Sequence, residues 1–430
     1  MVLATVWEVH AVYMSWSPPV PEPAVLYQNV SRSVLLLDVP TSIAVGQKIR
    51  SSRPLMRLLS CSPLLEPYPP TEPRSDGARA RLAQQSDLEN VRLAAALQKR
   101  VSKALSEIRT GYEGVWCLGR YVAHAQKTWS PSHQLPNRLA TAKILHSPVA
   151  PPLILSSHLN EFSSCDEVSQ SLVCNLAEEP TAMKVGPDIF LIPPRSHFLM
   201  SRVELSQHLF SQMANKLLPS TSSCTAGEFD CIILDPPWPN RSVRRSRAYL
   251  TSGIQGDDPW TSITTVLNCH IAPNGLVGVW ITNQISVKRE VLNAFGVWNV
   301  SLVEIWVWVK ITAKGEPILP LDGLWRKPYE ILLLGRKRAL RSHNFLDPVE
   351  DLSSLPVRVI AAVPDLHSRK PCVKNLVSAS FFDDKEYRGL EVFARTLTAG
   401  WWSWGDEVIK FNLESNWEQP PPSHSSGPAE

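Results

Sequence analysis

The ten residues from Phe229 to Trp238, Phe-Asp-Cys-Ile-Ile-Leu-Asp-Pro-Pro-Trp, constrain this chain more than any other stretch. Cys231 to Leu234 form a short unbroken apolar run, the pattern of a central strand covered on both faces. Pro236 and Pro237 must end that strand, because neither donates a ladder hydrogen bond and each fixes its own φ. Asp235 and Trp238 are therefore expected at a strand's carboxyl end, where open α/β sheets bind ligands. An ordinary strand-ending Pro-Pro turn is the plainer alternative.

A rigid acidic-aromatic turn suits one difficult nucleophile. The exocyclic amine of adenine is weak because its lone pair is delocalised into the ring. Two acceptors aimed at its hydrogens would localise that pair, and the Asp235 carboxylate and the Pro236 carbonyl are placed to serve. Trp238 offers a face on which a flipped-out base can stack.

Beyond residue 196 the pattern is regular. Apolar strand candidates fall at 229–234, 276–281, 302–309, 329–334, 357–363 and 390–394, with helical stretches at 257–270, 284–296 and 371–380. Such alternation predicts a doubly wound α/β sheet. Upstream, Ser86 and Glu89 make a capping box, and Leu97, Val101, Ala104, Leu105 and Ile108 share one helical face. Short β-like runs between Tyr112 and Arg195 suggest a small mixed domain. The expected organisation is a poorly structured proline-rich segment over 1–77, an accessory region over 78–195, the main domain over 196–414 and a disordered tail over 415–430.

Composition narrows the class. A formal net charge of +3 over 430 residues makes any nucleic-acid surface local rather than global. Eight scattered cysteines without a Cys-x-x-Cys pair argue against a zinc site and a disulfide framework, and fit a reducing compartment. No apolar run approaches the roughly 18 residues of a membrane-crossing helix, so no membrane association is expected.

Three further pieces stand out. Leu390-Glu-Val-Phe-Ala-Arg395 followed by Gly400-Trp-Trp-Ser-Trp-Gly-Asp-Glu407 resembles a strand and turn that grip a nucleotide-like cofactor, although a tryptophan-rich packing cluster explains it equally well. His367-Ser-Arg-Lys-Pro371 presents Lys370 just before a helix-opening proline; alone, that lysine reads as a surface charge. Arg241, Arg244, Arg245 and Arg247 crowd the loop after the aromatic turn, either to neutralise substrate phosphates or as a solvated surface.

In their order, these pieces resemble one family. With Trp280-Ile-Thr-Asn283, Trp306-Val-Trp-Val-Lys310 and Lys327-Pro-Tyr-Glu330, they look like the eukaryotic MT-A type N6-adenine methyltransferases. Ile192-Pro-Pro-Arg-Ser-His-Phe-Leu-Met200 and Asn240-Arg-Ser-Val-Arg-Arg-Ser246 point within them to the methyltransferase-like protein 4 subfamily. The resemblance covers roughly residues 190–412. It implies a Rossmann-like S-adenosylmethionine-dependent methyltransferase in the permuted order, catalytic turn before cofactor strand, preceded by a smaller mixed α+β region. It further implies a nucleic-acid substrate, RNA before DNA and in this subfamily a 2′-O-methylated small nuclear RNA adenosine. No metal, action as a monomer and a nuclear location with a cytoplasmic pool are expected.

Residue by residue, the resemblance implies that Asp235, Pro236, Pro237 and Trp238 hold the target amine and base. Ser201, Lys370, Glu391, Arg395, Asp406 and Glu407 are implied on the cofactor, with Arg202 beside Ser201. Arg241, Arg244, Arg245, Arg247 and Lys327 are expected on the substrate strand. Asp406 stands where the family commonly has Asn, and Thr396 where it has Asn again, departures that bear on cofactor affinity more than on the catalytic turn. A catalytically inactive paralogue is the rival reading, but in such paralogues the turn degenerates, and here it is intact.

Overall fold

The computed structural model describes residues 23–48, 56–70, 75–77, 88–122, 150–169, 171–221, 224–238, 259–323, 326–338 and 352–418. Its centre is a twelve-stranded sheet. In chain order the strands are β1 (Val25–Gln28), β2 (Val34–Leu37), β3 (Leu153–Ile154), β4 (Val173–Cys174), β5 (His197–Met200), β6 (Phe229–Leu234), β7 (Ile271–Ile281), β8 (Val300–Lys310), β9 (Tyr329–Lys337), β10 (Val357–Ala362), β11 (Gly389–Val392) and β12 (Trp401–Gly405). Across the sheet they run β1-β2-β10-β8-β9-β7-β6-β11-β12-β5-β4-β3.

The strands β7, β6, β11, β12 and β5 are mutually parallel and form the heart of the sheet. Helix-bearing crossovers permit this, and covered faces explain why Cys231 to Leu234 need no polar alternation. Beyond β7 the sheet is mixed: β9 pairs antiparallel with both β7 and β8, while β10 returns parallel to β8. From β6 the chain runs outward to β7, and only later returns to lay β11 and β12 on β6's other side. The β6–β11 seam is thus where the winding reverses, the place at which such sheets hold ligands.

From Cys231 onward the residues of β6 alternate between two cores, and the register shift between Phe229 and Cys231 puts Phe229 on the side of Ile232 and Leu234. Phe229, Ile232 and Leu234 join one core, together with helices α2 (Leu88–Gly111), α3 (Gln207–Leu217), α4 (Pro259–Asn268) and α5 (Ile285–Val297). Cys231 and Ile233 join the other, beneath α1 (Val39–Gly46) and α6 (Lys374–Phe381). The predicted face of α2 is the observed one, since Leu97, Val101, Ala104, Leu105 and Ile108 are all buried. Its expected cap, Ser86, lies outside the described residues.

The expected boundaries do not divide the structure. Residues 25–46, assigned to a poorly structured segment, build β1, β2 and α1. All four residues of β2 are buried, and β2 lies parallel to β10 in the register Val34↔Val359. That partner is so distant in sequence that local pattern could not reveal it. Asp38 caps α1, accepting from Thr41 N at 3.0 Å and Thr41 Oγ1 at 2.7 Å; such caps contribute ~1 kcal/mol. The boundary at 195/196 also fails, because β3 and β4 extend the central sheet through β5. The first four residues of the expected tail, 415–418, are described, and there Trp417–Glu418 pairs antiparallel with Arg57–Ser60 while Trp417 is buried.

Candidate active site

Asp235 follows the last residue of β6. Its N–H donates to Val392 O on β11 at 3.2 Å, and Trp238 N–H closes the turn on Pro236 O at 2.8 Å. The two prolines supply no competing donors, so the turn's direction is set by the strand. The Asp235 carboxylate is held from both sides, with Oδ1 3.3 Å from Lys370 Nζ and Oδ2 3.1 Å from Arg395 Nη1.

Those pairs belong to a longer alternation of charge. Lys310 pairs with Glu330 at 2.5 Å, Glu330 with Lys370 at 2.5 Å, Arg395 with Glu407 at 3.0 Å, and Glu407 with Lys410 at 2.7 Å. Asp235 sits at the middle of the row. Burial alone would raise the Glu330 carboxyl, but Lys370 and Lys310 outweigh it and hold it well below the usual range. Burial alone would likewise lower the Lys370 ammonium, which Asp235 and Glu330 instead keep above its ordinary value. Lys370 Nζ also lies 5.2 Å above the Trp280 ring.

The loop carrying Lys370 is anchored in the interior. Buried Asp365 receives Arg369 Nη1 at 2.6 Å, Arg120 Nη1 at 3.3 Å and Cys61 N–H at 3.0 Å. Ser368, next to this anchor, adopts φ 68°, and Phe393, between Glu391 and Arg395, adopts φ 59°. Left-handed backbone at non-glycine residues costs energy, and both strained positions border the same cleft.

That cleft opens at the β6–β11 seam and is lined by Asp235, Lys370, Glu391 and Arg395, with Ile233, Trp280, Phe393 and Phe411 as apolar wall. The Glu391 carboxyl is pushed up to about 8, first by burial and second by the Asp235 charge, with Arg395 and Lys370 opposing. Acidic, basic and apolar groups thus share one pocket, which fits a ligand with a cationic sulfonium, an amino-acid end and a nucleoside.

Of the residues expected from sequence, Asp235, Lys370, Glu391 and Arg395 line this cleft, and Glu407 joins through Arg395. Ser201 is buried at the end of β5, its N–H on Gly405 O at 3.2 Å, and Arg202 turns to Glu204. Asp406 is exposed just past β12. Ser201, Asp406 and Glu407 therefore crowd the carboxyl ends of the neighbouring strands, beside the cleft rather than in its wall. Lys327 donates to Leu321 O at 3.1 Å and is not among the lining residues.

Trp238 departs from its expectation as an open stacking platform. It is only 8% exposed, its Nε1–H donates to Trp280 O at 2.7 Å, and its ring lies 5.0 Å from that of Trp260. Packing claims the ring because the turn points it back over β7. Arg241, Arg244, Arg245 and Arg247 lie outside the described residues. Among the described residues, no group of three or more metal-ligating side chains gathers and no helix is long and apolar enough to cross a membrane.

Sequence reasoning missed the cleft's far wall. Ile43 and Gln47 come from α1 and its C-terminus, and Lys374 opens α6. Gln47 Nε2 donates to Leu397 O at 2.6 Å and Gln47 Oε1 accepts from Asn412 Nδ2 at 2.9 Å. Gly46 permits the approach, since a Cβ there would stand 2.6 Å from Cys372 Sγ. No local signal marks Gln47 or Lys374, the latter standing four positions after Lys370 at the point where the loop enters α6.

The chain is similar in sequence to known proteins. Residues 229–407 match the MT-A70 family. The N6-methyladenosine RNA methyltransferase MTA1 of Cryphonectria parasitica is 33% identical over 412 residues, covering 92% of this chain and 94% of the relative. The human N(6)-adenine-specific methyltransferase METTL4 is 38% identical over 235 residues, covering 52% of this chain and 43% of the relative. A DNA N6-methyl methyltransferase of Caenorhabditis elegans is 32% identical over 233 residues, covering 52% of this chain and 54% of the relative.

Proposed function

The chain belongs to the MT-A70 family and is an N6-adenine methyltransferase, and on that premise we propose that it carries a methyl group from S-adenosylmethionine to an adenosine of RNA. The observation that carries the reading is Asp235, held between Lys370 and Arg395 at the mouth of a charged cleft on the winding reversal.

When bound, S-adenosylmethionine supplies a methyl group on a sulfonium, ready for in-line displacement. The chain's own residues position the acceptor. A carboxylate offers about four acceptor sites and Lys370 and Arg395 occupy two, leaving Asp235 free to accept from the N6 amine. Pro236 O has spent one lone pair on Trp238 N–H, and its second is free for the other amine hydrogen. Lys370 and Arg395 hold the Asp235 carboxylate aimed, while Trp280 and Phe393 help exclude water. Glu391 and Arg395 would hold the donor's ribose, with Glu407 steadying Arg395. Such positioning is worth up to roughly 7–11 kcal/mol of the barrier in favourable cases.

RNA is favoured over DNA because the similarity to the fungal RNA enzymes runs through nearly the whole chain, whereas the nematode DNA enzyme matches about half of it. The test is incubation with labelled donor and parallel RNA, 2′-O-methylated RNA and DNA oligonucleotides, followed by nucleoside mass spectrometry. N6-methyladenosine in RNA is the expected product; label confined to DNA, or none with folded protein, overturns the reading.

A further inference from the structure

Helix α2 buries one side and leaves the opposite side to solvent. Leu93, Leu97, Val101, Ala104, Leu105 and Ile108 are buried in the core beneath it. At about 100° per residue, Arg92, Lys99 and Lys103 fall on one line nearly opposite them, and Arg100 flanks that line. All four side chains are exposed, and among the described residues no carboxylate pairs with any of them. Other surface cations, such as Lys184, Arg195 and Lys314, each hold a glutamate. Glu107, the next described acidic residue along the helix, is instead engaged by Asn29 Nδ2 at 2.9 Å. The outcome is a basic ridge roughly 16 Å long with no counter-charge of its own.

The ridge leads to the edge of the sheet that carries the catalytic turn. β8 is antiparallel to β9, which is antiparallel to β7, itself parallel to β6; the carboxyl end of β8 therefore shares an edge with Asp235. The loop after β8 folds back on Lys310, whose carbonyl accepts from Ile318 N–H at 3.1 Å. Helix α2 ends against the tip of that loop. Arg109 Nη2 donates to Gly315 O at 3.0 Å, and a Cβ on Gly315, at φ 80°, would stand 2.7 Å from the Trp116 ring. Lys310 in turn opens the charge row that reaches Asp235 through Glu330 and Lys370. Exposed Leu65, Tyr68 and Val115 rim the same loop, with Tyr68 N–H on Ile318 O at 2.9 Å and Ala313 N–H on Leu64 O at 2.8 Å. Unpaired cations running into exposed apolar faces suit a single nucleic-acid strand, phosphates on the first and bases on the second.

We propose that Arg92, Lys99, Arg100 and Lys103 bind the phosphates of the RNA strand flanking the target adenosine, on a second contact surface outside the cleft. The proposal rests on the RNA reading above and adds to it the path of the strand. A formal net charge of +3 over 430 residues gives little general attraction for a polyanion, so a local row of cations must supply it.

The experiment compares wild type with a triple variant, Arg92→Gln, Lys99→Gln and Lys103→Gln, which keeps good helix formers at exposed positions. Fluorescence anisotropy across a salt series reads binding of a short RNA of about five nucleotides and a long one of about twenty-five, built around the same adenosine. The long RNA should bind the variant about tenfold more weakly at low salt, and its slope of log affinity against log salt should flatten by about two units. The short RNA, which reaches only the cleft, should bind and be methylated as by wild type. At saturating long RNA, kcat should be unchanged. The charge-conserving variant Arg92→Lys, Lys99→Arg and Lys103→Arg should behave as wild type throughout. Unchanged long-RNA affinity at every salt concentration overturns the proposal and leaves the ridge a solvated surface. Equal losses on both RNAs overturn it as well, since the substitutions then act through the fold, and so does a loss confined to long DNA. Anisotropy needs no methyl transfer. A wild-type protein that binds RNA through the ridge but makes no N6-methyladenosine would therefore sink the enzymatic reading and leave the ridge standing.

Discussion

Arg395 Nη1 lies 3.1 Å from Asp235 Oδ2, joining residues 160 positions apart in the chain. The bond ties the end of the catalytic strand to the loop that leaves the cofactor strand.

Removal of Asp235 should abolish transfer and spare the fold. In Asp235→Ala, Lys370 keeps Glu330 and Arg395 keeps Glu407, so neither cation is stranded. Turnover should fall by at least about a hundredfold, the usual cost of losing a group that acts in the transition state. Circular dichroism and melting should stay close to wild type. Near-normal turnover in a folded variant would remove Asp235 from the mechanism.

Lys370→Ala should separate turnover from donor binding. The lysine lines the cleft with its ammonium engaged by Asp235 and Glu330. Single-turnover rates should drop sharply, while calorimetric affinity for S-adenosylmethionine changes only a few-fold. A large loss of affinity with unchanged single-turnover rate would assign Lys370 to the donor instead.

Glu391 predicts a pH dependence of stability. Its folded value is about 8 against an ordinary 4.5. Between these values the unfolded chain has released the proton and the folded chain keeps it, so the native state binds more protons and stability falls as pH rises through that window. Glu391→Gln, fixed in the neutral form, should lose this slope. Its melting temperature relative to wild type should increase from about pH 5 to about pH 8; parallel curves across the window would contradict the assignment.

Gln47 should matter despite lying far from the motifs. Gln47→Ala loses its bonds to Leu397 O and Asn412, worth about 1 kcal/mol of stability each way it is measured, by urea or by heat. Because Leu397 lies in the loop after Arg395, donor affinity should fall a few-fold as well. Stability lost with affinity intact would make Gln47 a structural brace only.

Much of the site was legible because its information is local. The proline pair ends β6 wherever it occurs, and β6 spans the expected residues 229–234. Helix α5, expected at 284–296, is found at Ile285–Val297, because its apolar period is carried by its own residues. The wall from α1 was not legible. Val39, Ile43 and Ala44 look like any short apolar stretch until α6 and the loop at 395–400 pack on them. Trp238 failed for a related reason: a tryptophan's type shows that it can stack, and only its neighbours Trp260 and Trp280 show what it stacks on. Glu330 was seen as part of a motif, but the two lysines that straddle it come from β8 and from the loop before α6.

The pairing of β2 with β10 also sets a timetable. During synthesis, Val34–Leu37 emerge early, yet their partner strand is Val359–Ala362, and α1 closes on Cys372, Leu397 and Ala399. A run of four aliphatic residues must therefore wait through some three hundred residues of elongation, several tens of seconds at ordinary translation rates, before it can be covered. Contacts this long-range slow folding and leave an unpaired strand open to wrong partners. The active cleft, whose far wall is that early segment, can be finished only when the last part of the catalytic region has been made.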